Sequence, residues 1–163
     1  MIRLTLAMFL ALAAPASAKD FALEDYFSGP TRAAGTFSAI NGVTRSFAVN
    51  LTGHVRGAKL NLVEDFVYSD GEKARKTWKF TKTGPGTYTG TREDVIGSTT
   101  VRINGNTAKF TYLVDLDDGK AQNVVRFYDT MVLSADGKTV KNRAVVTKLG
   151  IPVARVKVDF VRK

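Results

Sequence analysis

Apolar and polar residues alternate along most of the chain, which is typical of β-strands that bury one face. Phe47, Val49 and Leu51 fall on one side of such a strand, while Ser46 and Asn50 fall on the other. The alternation predicts strands near residues 31–40, 43–53, 58–68, 74–82, 86–94, 97–104, 106–116, 122–134, 138–148 and 152–161.

Turn signals separate the predicted strands. Asn-Gly and Asp-Gly pairs, which tolerate positive φ and favour tight hairpins, occur at Asn41-Gly42, Asp70-Gly71, Asn104-Gly105, Asp118-Gly119 and Asp136-Gly137. Helical spacing occurs only over residues 20–28, as one short amphipathic turn before Gly29-Pro30. Without helical crossovers the strands must be antiparallel. We therefore expect an all-β, up-and-down meander of about ten strands that closes into a barrel, with a two-sheet sandwich as the alternative.

The first eighteen residues have the pattern of a secretory signal peptide. Arg3 is followed by an apolar run over residues 4–14 and by the small residues Ala16-Ser17-Ala18. We expect cleavage after Ala18, one domain over residues 19–163 and a periplasmic location in a Gram-negative bacterium; a buried N-terminal helix is the alternative. Because no cysteine follows the segment, the sequence offers no site for a lipid anchor.

Composition removes several classes of chemistry. The chain has 163 residues, no cysteine and one histidine, and its formal charge is +9. Disulfides, thiolate metal sites and cysteine nucleophiles are therefore excluded. His54 has no neighbouring nucleophile pattern, and the sequence contains no phosphate loop, dinucleotide fingerprint or metal-ligand spacing. We identify no catalytic residue, metal site or cofactor, and we expect binding rather than catalysis.

Polar residues on apolar strand faces are the main candidates for a binding site. Glu64 alternates with Leu62 and Phe66, Asp129 lies on an apolar face of its own strand, and Arg92 alternates with neighbouring aromatic and acidic residues. Charges buried in a barrel must be paired or must bind something. The candidate ligand-binding residues are Glu64, Tyr68, Trp78, Arg92, Tyr112, Phe127 and Asp129.

Two interpretations of these residues remain open. In the first, Arg92 and the tyrosines hold the acid end of a fatty acid while the aromatic rings hold its chain. In the second, an internal pair between arginine and carboxylate fixes the barrel and binds nothing. Trp78 also has two interpretations, since it either packs in the core or forms a rim with Tyr68 and Arg75 beside the Asp70-Gly71 turn.

The C-terminal hairpin carries most of the net charge. Residues 138–163 contain eight lysines and arginines against one acidic residue, Asp159. Lys141, Arg143, Arg155 and Lys157 predict a basic outer face that attracts an anionic membrane surface, with an ordinary solvated face as the alternative. A secreted chain without exposed stacking motifs is not expected to bind nucleic acid.

Several stretches resemble a family of small proteobacterial envelope proteins known only as a domain of unknown function. They run from about residue 25 to the C-terminus and comprise Phe27-x-Gly29, Ala34-Gly35, Leu62-x-Glu64-x-Phe66-x-Tyr68-x-Asp70-Gly71, Arg75-x-x-Trp78, Tyr88-x-Gly90, Asp94-Val95-Ile96-Gly97 and Asn142-Arg143-Ala144 followed by Gly150. The resemblance implies a lipocalin-like (calycin-like) barrel and a link to membrane fatty-acid modification. Many members resemble lipoproteins, but this chain lacks the lipidated cysteine.

Together these observations predict a periplasmic barrel, expected to be monomeric, that binds a lipid, fatty acid or other small apolar ligand. Each CH₂ group of a buried acyl chain would contribute about 0.8 kcal/mol. The chain would lie among Leu62, Phe66, Trp78, Phe110, Tyr112 and Phe127. A non-catalytic structural or interaction module of the envelope is one alternative. An enzyme or accessory subunit acting on membrane lipids is the other.

Overall fold

A computed structural model describes residues 20–162 except 118 and 121. The predicted signal peptide, the first residue of the Asp118-Gly119 pair and Lys163 lie outside the described residues. The elements are α1 (Leu23–Phe27), β1 (Gly29–Ala39), β2 (Thr44–Arg56), β3 (Lys59–Tyr68), β4 (Lys73–Gly84), β5 (Thr87–Thr91), β6 (Val95–Ile96), β7 (Thr99–Asn104), β8 (Thr107–Asp115), β9 (Val124–Leu133), β10 (Thr139–Lys148) and β11 (Ile151–Arg162).

The strands form one closed antiparallel barrel, as the alternation predicted. Ten strands follow one another around the barrel in chain order, and β11 closes it by pairing with β1. The eleventh strand, β6, is only two residues long and pairs with the end of β8. The prediction of an up-and-down meander is confirmed, and the sandwich alternative is wrong.

One stretch of the chain differs from the prediction. The sequence predicts strands over 86–94 and 97–104, but β5 ends at Thr91 and the chain turns before β6 begins. The Val95 amide donates to the Arg92 carbonyl at 3.0 Å, which closes this turn. Gly97 then adopts φ +71°, a conformation that glycine accepts readily, and the chain enters β7. Arg92 and Asp94 therefore lie in a turn at the end of the barrel and not in a strand.

Helix α1 closes the opposite end of the barrel. Its apolar residues Leu23 and Phe27 are buried, as is Phe21 just before it, and the Tyr26 hydroxyl donates a hydrogen bond to the Phe160 carbonyl at 3.0 Å. Gly53 permits this closure, since a Cβ at that position would lie 1.7 Å from the Phe27 carbonyl oxygen. We call this the helix end, and we call the other the open end.

The helix-end half of the interior is filled by side chains. Leu51, Leu60, Val101 and Val140 are almost completely inaccessible to solvent. Such close packing supplies the hydrophobic stabilisation that a chain without disulfides needs. Across residues 20–117, 119–120 and 122–162, no helix has the length and apolar character needed to cross a membrane.

Candidate functional site

Aromatic side chains line the inside of the open end. Phe47, Phe66 and Tyr68 point inward from β2 and β3, and their ring centroids lie 5.8–5.9 Å apart. With Phe37 and Phe127 they form what we call the aromatic mouth. All five face the interior and remain partly exposed.

A group of charged side chains lies inside the barrel beside the aromatic residues. The Arg92 guanidinium donates from Nε to Asp94 Oδ1 at 2.6 Å and from Nη2 to Asp94 Oδ2 at 3.2 Å. Its Nη1 lies 3.8 Å from Glu64 Oε2, and Lys76 Nζ donates to Asp94 from the other side. Arg92 Cζ lies 4.8 Å from the centre of the Trp78 ring. The Nε–Nη2 edge of Arg92 is therefore occupied by Asp94.

A second polar pair lies across the interior from this group. Asn142 Nδ2 donates to Asp129 Oδ1 at 2.5 Å, and both side chains are buried. The ring of Tyr112 links the two groups, since it lies 5.7 Å from Arg92 Cζ and interacts with Asp129 through its hydroxyl. We call the whole set the polar layer; it comprises Glu64, Lys76, Arg92, Asp94, Tyr112, Asp129 and Asn142.

Burial makes two carboxyl groups of the polar layer difficult to ionise. Desolvation raises the pKa of Glu64 to about 7, against the opposing attraction of Arg92. Desolvation also raises the pKa of Asp129 to about 6, although the hydrogen bond from Asn142 acts in the other direction. Asp94 is partly buried as well, but Arg92 and Lys76 outweigh that burial and hold its pKa below the ordinary value.

Three oxygen atoms of the polar layer have no hydrogen-bond partner among the described residues. They are Glu64 Oε2, Asp129 Oδ2 and Asn142 Oδ1. A buried polar atom without a partner costs free energy, so sites of this kind normally hold water or a ligand group. Amide oxygens and ionised carboxylate oxygens accept hydrogen bonds, so a group that donates them would satisfy all three atoms.

The structure brings most of the predicted site residues together. Glu64, Trp78, Arg92, Tyr112 and Asp129 belong to the polar layer or contact it, whereas Phe127 and Tyr68 lie in the aromatic mouth. Phe127 also stacks on Tyr112, with ring centroids 5.3 Å apart. Their roles in binding stay a prediction.

The rim interpretation of Trp78 is wrong. Its side chain is buried beneath Arg92, while Arg75 points outward and binds Asp65 with Nε–Oδ1 at 2.6 Å. The two residues are three positions apart on β4, so they occupy opposite faces of the sheet. Trp78 therefore packs in the core, which was the other interpretation.

Sequence reasoning missed Lys76, although a signal for it was present. Lys76 lies on the same face of β4 as Trp78 and Phe80, because alternate residues of a strand share a face. Both Trp78 and Phe80 are buried. In the register of β3 and β4 it lies directly opposite Glu64. Sequence reasoning also missed Asn142, which the structure places inside the barrel.

The predicted basic residues lie on the outer surface. All four are exposed: Lys141, Arg143, Arg155 and Lys157. Arg143 lies directly opposite Lys157 in the register of β10 and β11. Arg143 Nη1 also binds Asp159 Oδ1 at 2.8 Å. A groove of about 630 Å³ runs beside them over the outer face of β1 and β2, and its lining includes Ala34, Ala48, Arg143, Lys157 and Asp159.

The closed meander with one short helix at its end and polar groups inside is the architecture of a lipocalin-like barrel. The chain belongs to the family described as "Protein of unknown function (DUF3833)", whose model matches residues 11–162. The family confirms the resemblance that the sequence motifs indicated. No curated protein matches the chain.

Three solved structures are similar to this barrel. The S-type phycobiliprotein lyase CPES from Guillardia theta has a TM-score of 0.61 at 10% identity, covering 88% of this chain and 93% of that chain. Rv2717c from M. tuberculosis has a TM-score of 0.59 at 14% identity, covering 92% and 98%. A protein of unknown function from the DUF3598 family of Nostoc punctiforme has a TM-score of 0.56 at 12% identity, covering 94% and 53%. At these identities the likeness shows the fold alone.

Proposed function

We propose that the protein binds a small, predominantly apolar molecule through the open end of the barrel. One observation carries the proposal: inward-facing aromatic rings remain accessible to solvent beside buried oxygen atoms that lack partners. Small-molecule sites combine apolar walls with a few placed polar groups in this way. A lipid is our preferred class, because an acyl chain suits the aromatic mouth.

The chemistry of the polar layer argues for a ligand whose polar end donates hydrogen bonds. When ionised, its unpartnered oxygens are acceptors, and the Nε–Nη2 edge of Arg92 is already bound to Asp94. A free carboxylate on the ligand would add a fourth acidic group beside Glu64, Asp94 and Asp129. The cations of the polar layer are Arg92 and Lys76, so the added group would be repelled by the other acids. A hydroxyl, amide or amine group meets the acceptors without added repulsion, so we favour it over the acid end that the sequence suggested.

A location in the periplasm and cleavage of the N-terminal segment belong to the same proposal. They rest on the sequence pattern of residues 1–18. In that compartment the protein would hold or carry an apolar molecule through water.

Native mass spectrometry tests the proposal directly. The full chain is expressed in a Gram-negative host, recovered without detergent, and measured before and after solvent extraction. We expect a stoichiometric adduct of a few hundred daltons that is extracted as a lipid with a hydroxyl, amide or amine group. A mass without adduct, unchanged after incubation with such lipids, would contradict ligand binding and favour the alternative of an envelope interaction module.

A pair of neighbouring residues supplies a matched control. Phe127 faces the interior and Tyr128 faces outward on the same strand. With N-phenyl-1-naphthylamine as the fluorescent probe, Phe127→Ala should weaken binding about tenfold because it removes one apolar wall. Tyr128→Ala should leave binding unchanged. Equal effects of the two substitutions would place the probe on the outer surface and argue against an internal site.

A further inference from the structure

Two hairpin tips at the open end expose large apolar side chains. The β1–β2 tip carries Ile40 and Val43, and the β10–β11 tip carries Leu149 and Ile151; their exposed fractions are 74%, 56%, 96% and 65%. The tips are neighbours, because the Ile40 amide donates to the Val153 carbonyl at 3.0 Å. These four side chains therefore form one apolar patch on the rim of the barrel, which we call the apolar tips.

The β10–β11 turn has an unusual residue at its most exposed position. Leu149 and Gly150 are the two central residues between the paired Lys148 and Ile151, with φ +49° and +81°. A turn with positive φ at both positions favours Asn-Gly, and leucine is disfavoured there. Leu149 is the one non-glycine residue with positive φ in the described part of the chain. Leu149 is thus almost fully exposed and is held in a backbone conformation that disfavours leucine. This combination indicates a role outside the folded monomer.

Basic side chains surround the same hairpin. Lys148 precedes the tip, and Arg155 and Lys157 follow it on the outer face of β11. Neither Arg155 nor Lys157 forms an ion pair with any residue that the structure describes. Their charges are free to meet an anionic partner farther along the same hairpin than the apolar tips.

We propose that the apolar tips insert into an anionic lipid bilayer and that Arg155 and Lys157 contact its headgroups. Apolar groups at the end and cations behind them match the two depths of a bilayer surface, first acyl chains and then phosphates. Self-association fits less well, since a stable dimer buries about 800 Å² on each partner and four side chains on narrow hairpins do not supply it. Docking in this way turns the aromatic mouth toward the membrane.

Liposome sedimentation of the full chain tests this interaction. The vesicles are phosphatidylcholine alone or a 70:30 mixture of phosphatidylcholine and phosphatidylglycerol, at low and high salt. We expect binding to the mixed vesicles that weakens with salt, and much weaker binding to neutral vesicles. Absence of binding to the mixed vesicles at low salt would overturn the proposal and leave the tips to a protein partner.

Leu149→Asn is the most informative variant, because it removes the most exposed apolar side chain of the tips and relieves the backbone strain of the turn. It should bind the mixed vesicles about tenfold more weakly while its unfolding temperature stays the same or rises. Replacing both Arg155 and Lys157 with glutamine should weaken binding about fivefold for each charge. Val161→Asn, at an exposed apolar site near the helix end, is the control and should bind like the parent.

All four proteins carry the same N-terminus, so any contribution of residues 1–18 to lipid binding is common to them. Unchanged binding by Leu149→Asn, or an equal loss in Val161→Asn, would contradict insertion of the tips. The docking does not require a bound ligand. Vesicle binding by a protein that takes up no internal ligand on incubation with lipids would therefore retain this proposal and reject the proposed function.

Discussion

The guanidinium of Arg92 lies against the indole of Trp78, with Cζ 4.8 Å from the ring centre, while its edge binds Asp94. A planar cation suits this position because its face can meet an aromatic ring while its edge donates to a carboxylate. Arg92 Nη1 also lies 3.8 Å from Glu64 Oε2, so one side chain connects the aromatic interior with the buried Glu64 and the partly buried Asp94.

Replacing Arg92 with methionine should destabilise the barrel strongly at pH 8. The substitution leaves Asp94 and Glu64 without their main cation, and loss of one partner from a buried pair costs about 3–5 kcal/mol. Arg92→Lys keeps the charge but loses the fork and the stacking, so its loss should be smaller. Urea unfolding at pH 8 measures both, and equal stability of the parent and Arg92→Met would show that the pairing contributes nothing.

The fold was largely predictable because its signals are local. Period-two alternation placed Glu64 and Asp129 on interior faces, and Asn-Gly and Asp-Gly pairs marked most of the hairpins. The end of β5 was not predictable, since the alternation of Tyr88, Arg92 and Asp94 continues through the turn that interrupts the strand. Periodicity describes which side a residue faces and does not show where hydrogen bonding between strands stops.

The polar layer was only partly predictable, because its contacts depend on register. Lys76 lies opposite Glu64 only because the β3–β4 hairpin turns at Asp70-Gly71, and a shift of one residue would reverse its face. Arg92 meets Trp78 through a turn whose geometry no local pattern indicates. Sequence identified the residue types that belong inside, and tertiary pairing decided which of them meet.

Closure of the helix end depends on a glycine at position 53. A Cβ there would lie 1.7 Å from the Phe27 carbonyl oxygen, which is backbone and cannot move independently of α1. We expect Gly53→Ala to lower the free energy of unfolding by about 3 kcal/mol, as overpacking does. Gly84→Ala is the control, since a Cβ at Gly84 meets nothing within 4 Å and should change stability by less than about 0.5 kcal/mol. Similar denaturation midpoints for both variants would show that α1 does not pack tightly on β2.

Trp78 should report the ionisation of the polar layer, because it is the single tryptophan of the chain. Burial raises the pKa of Glu64 to about 7, and Glu64 acts on Arg92, which lies over the indole. Tryptophan emission of the folded protein should therefore change with a midpoint near pH 7. Glu64→Gln should abolish that step, and a step that persists in this variant would assign it to another group.

Stability should fall as the pH rises from about 5 to 8. The pKa of Glu64 is about 7 in the folded protein against an ordinary 4.5, and that of Asp129 is about 6 against 3.8. The folded state therefore holds these protons more tightly than the unfolded chain does. The resulting stabilisation is complete below the ordinary pKa values, and it is lost as the pH rises through the folded ones.

Asp94 acts in the opposite direction, because Arg92 and Lys76 overcome its burial and lower its pKa. Its contribution is present above its ordinary pKa and disappears in stronger acid, so the unfolding temperature should be highest near pH 5. Each unit of pKa shift corresponds to about 1.4 kcal/mol. Glu64→Gln combined with Asp129→Asn should flatten the decline between pH 5 and 8, since both substitutes stay neutral. If calorimetry instead showed an equally steep decline in the double variant, the two buried acids would not be its source.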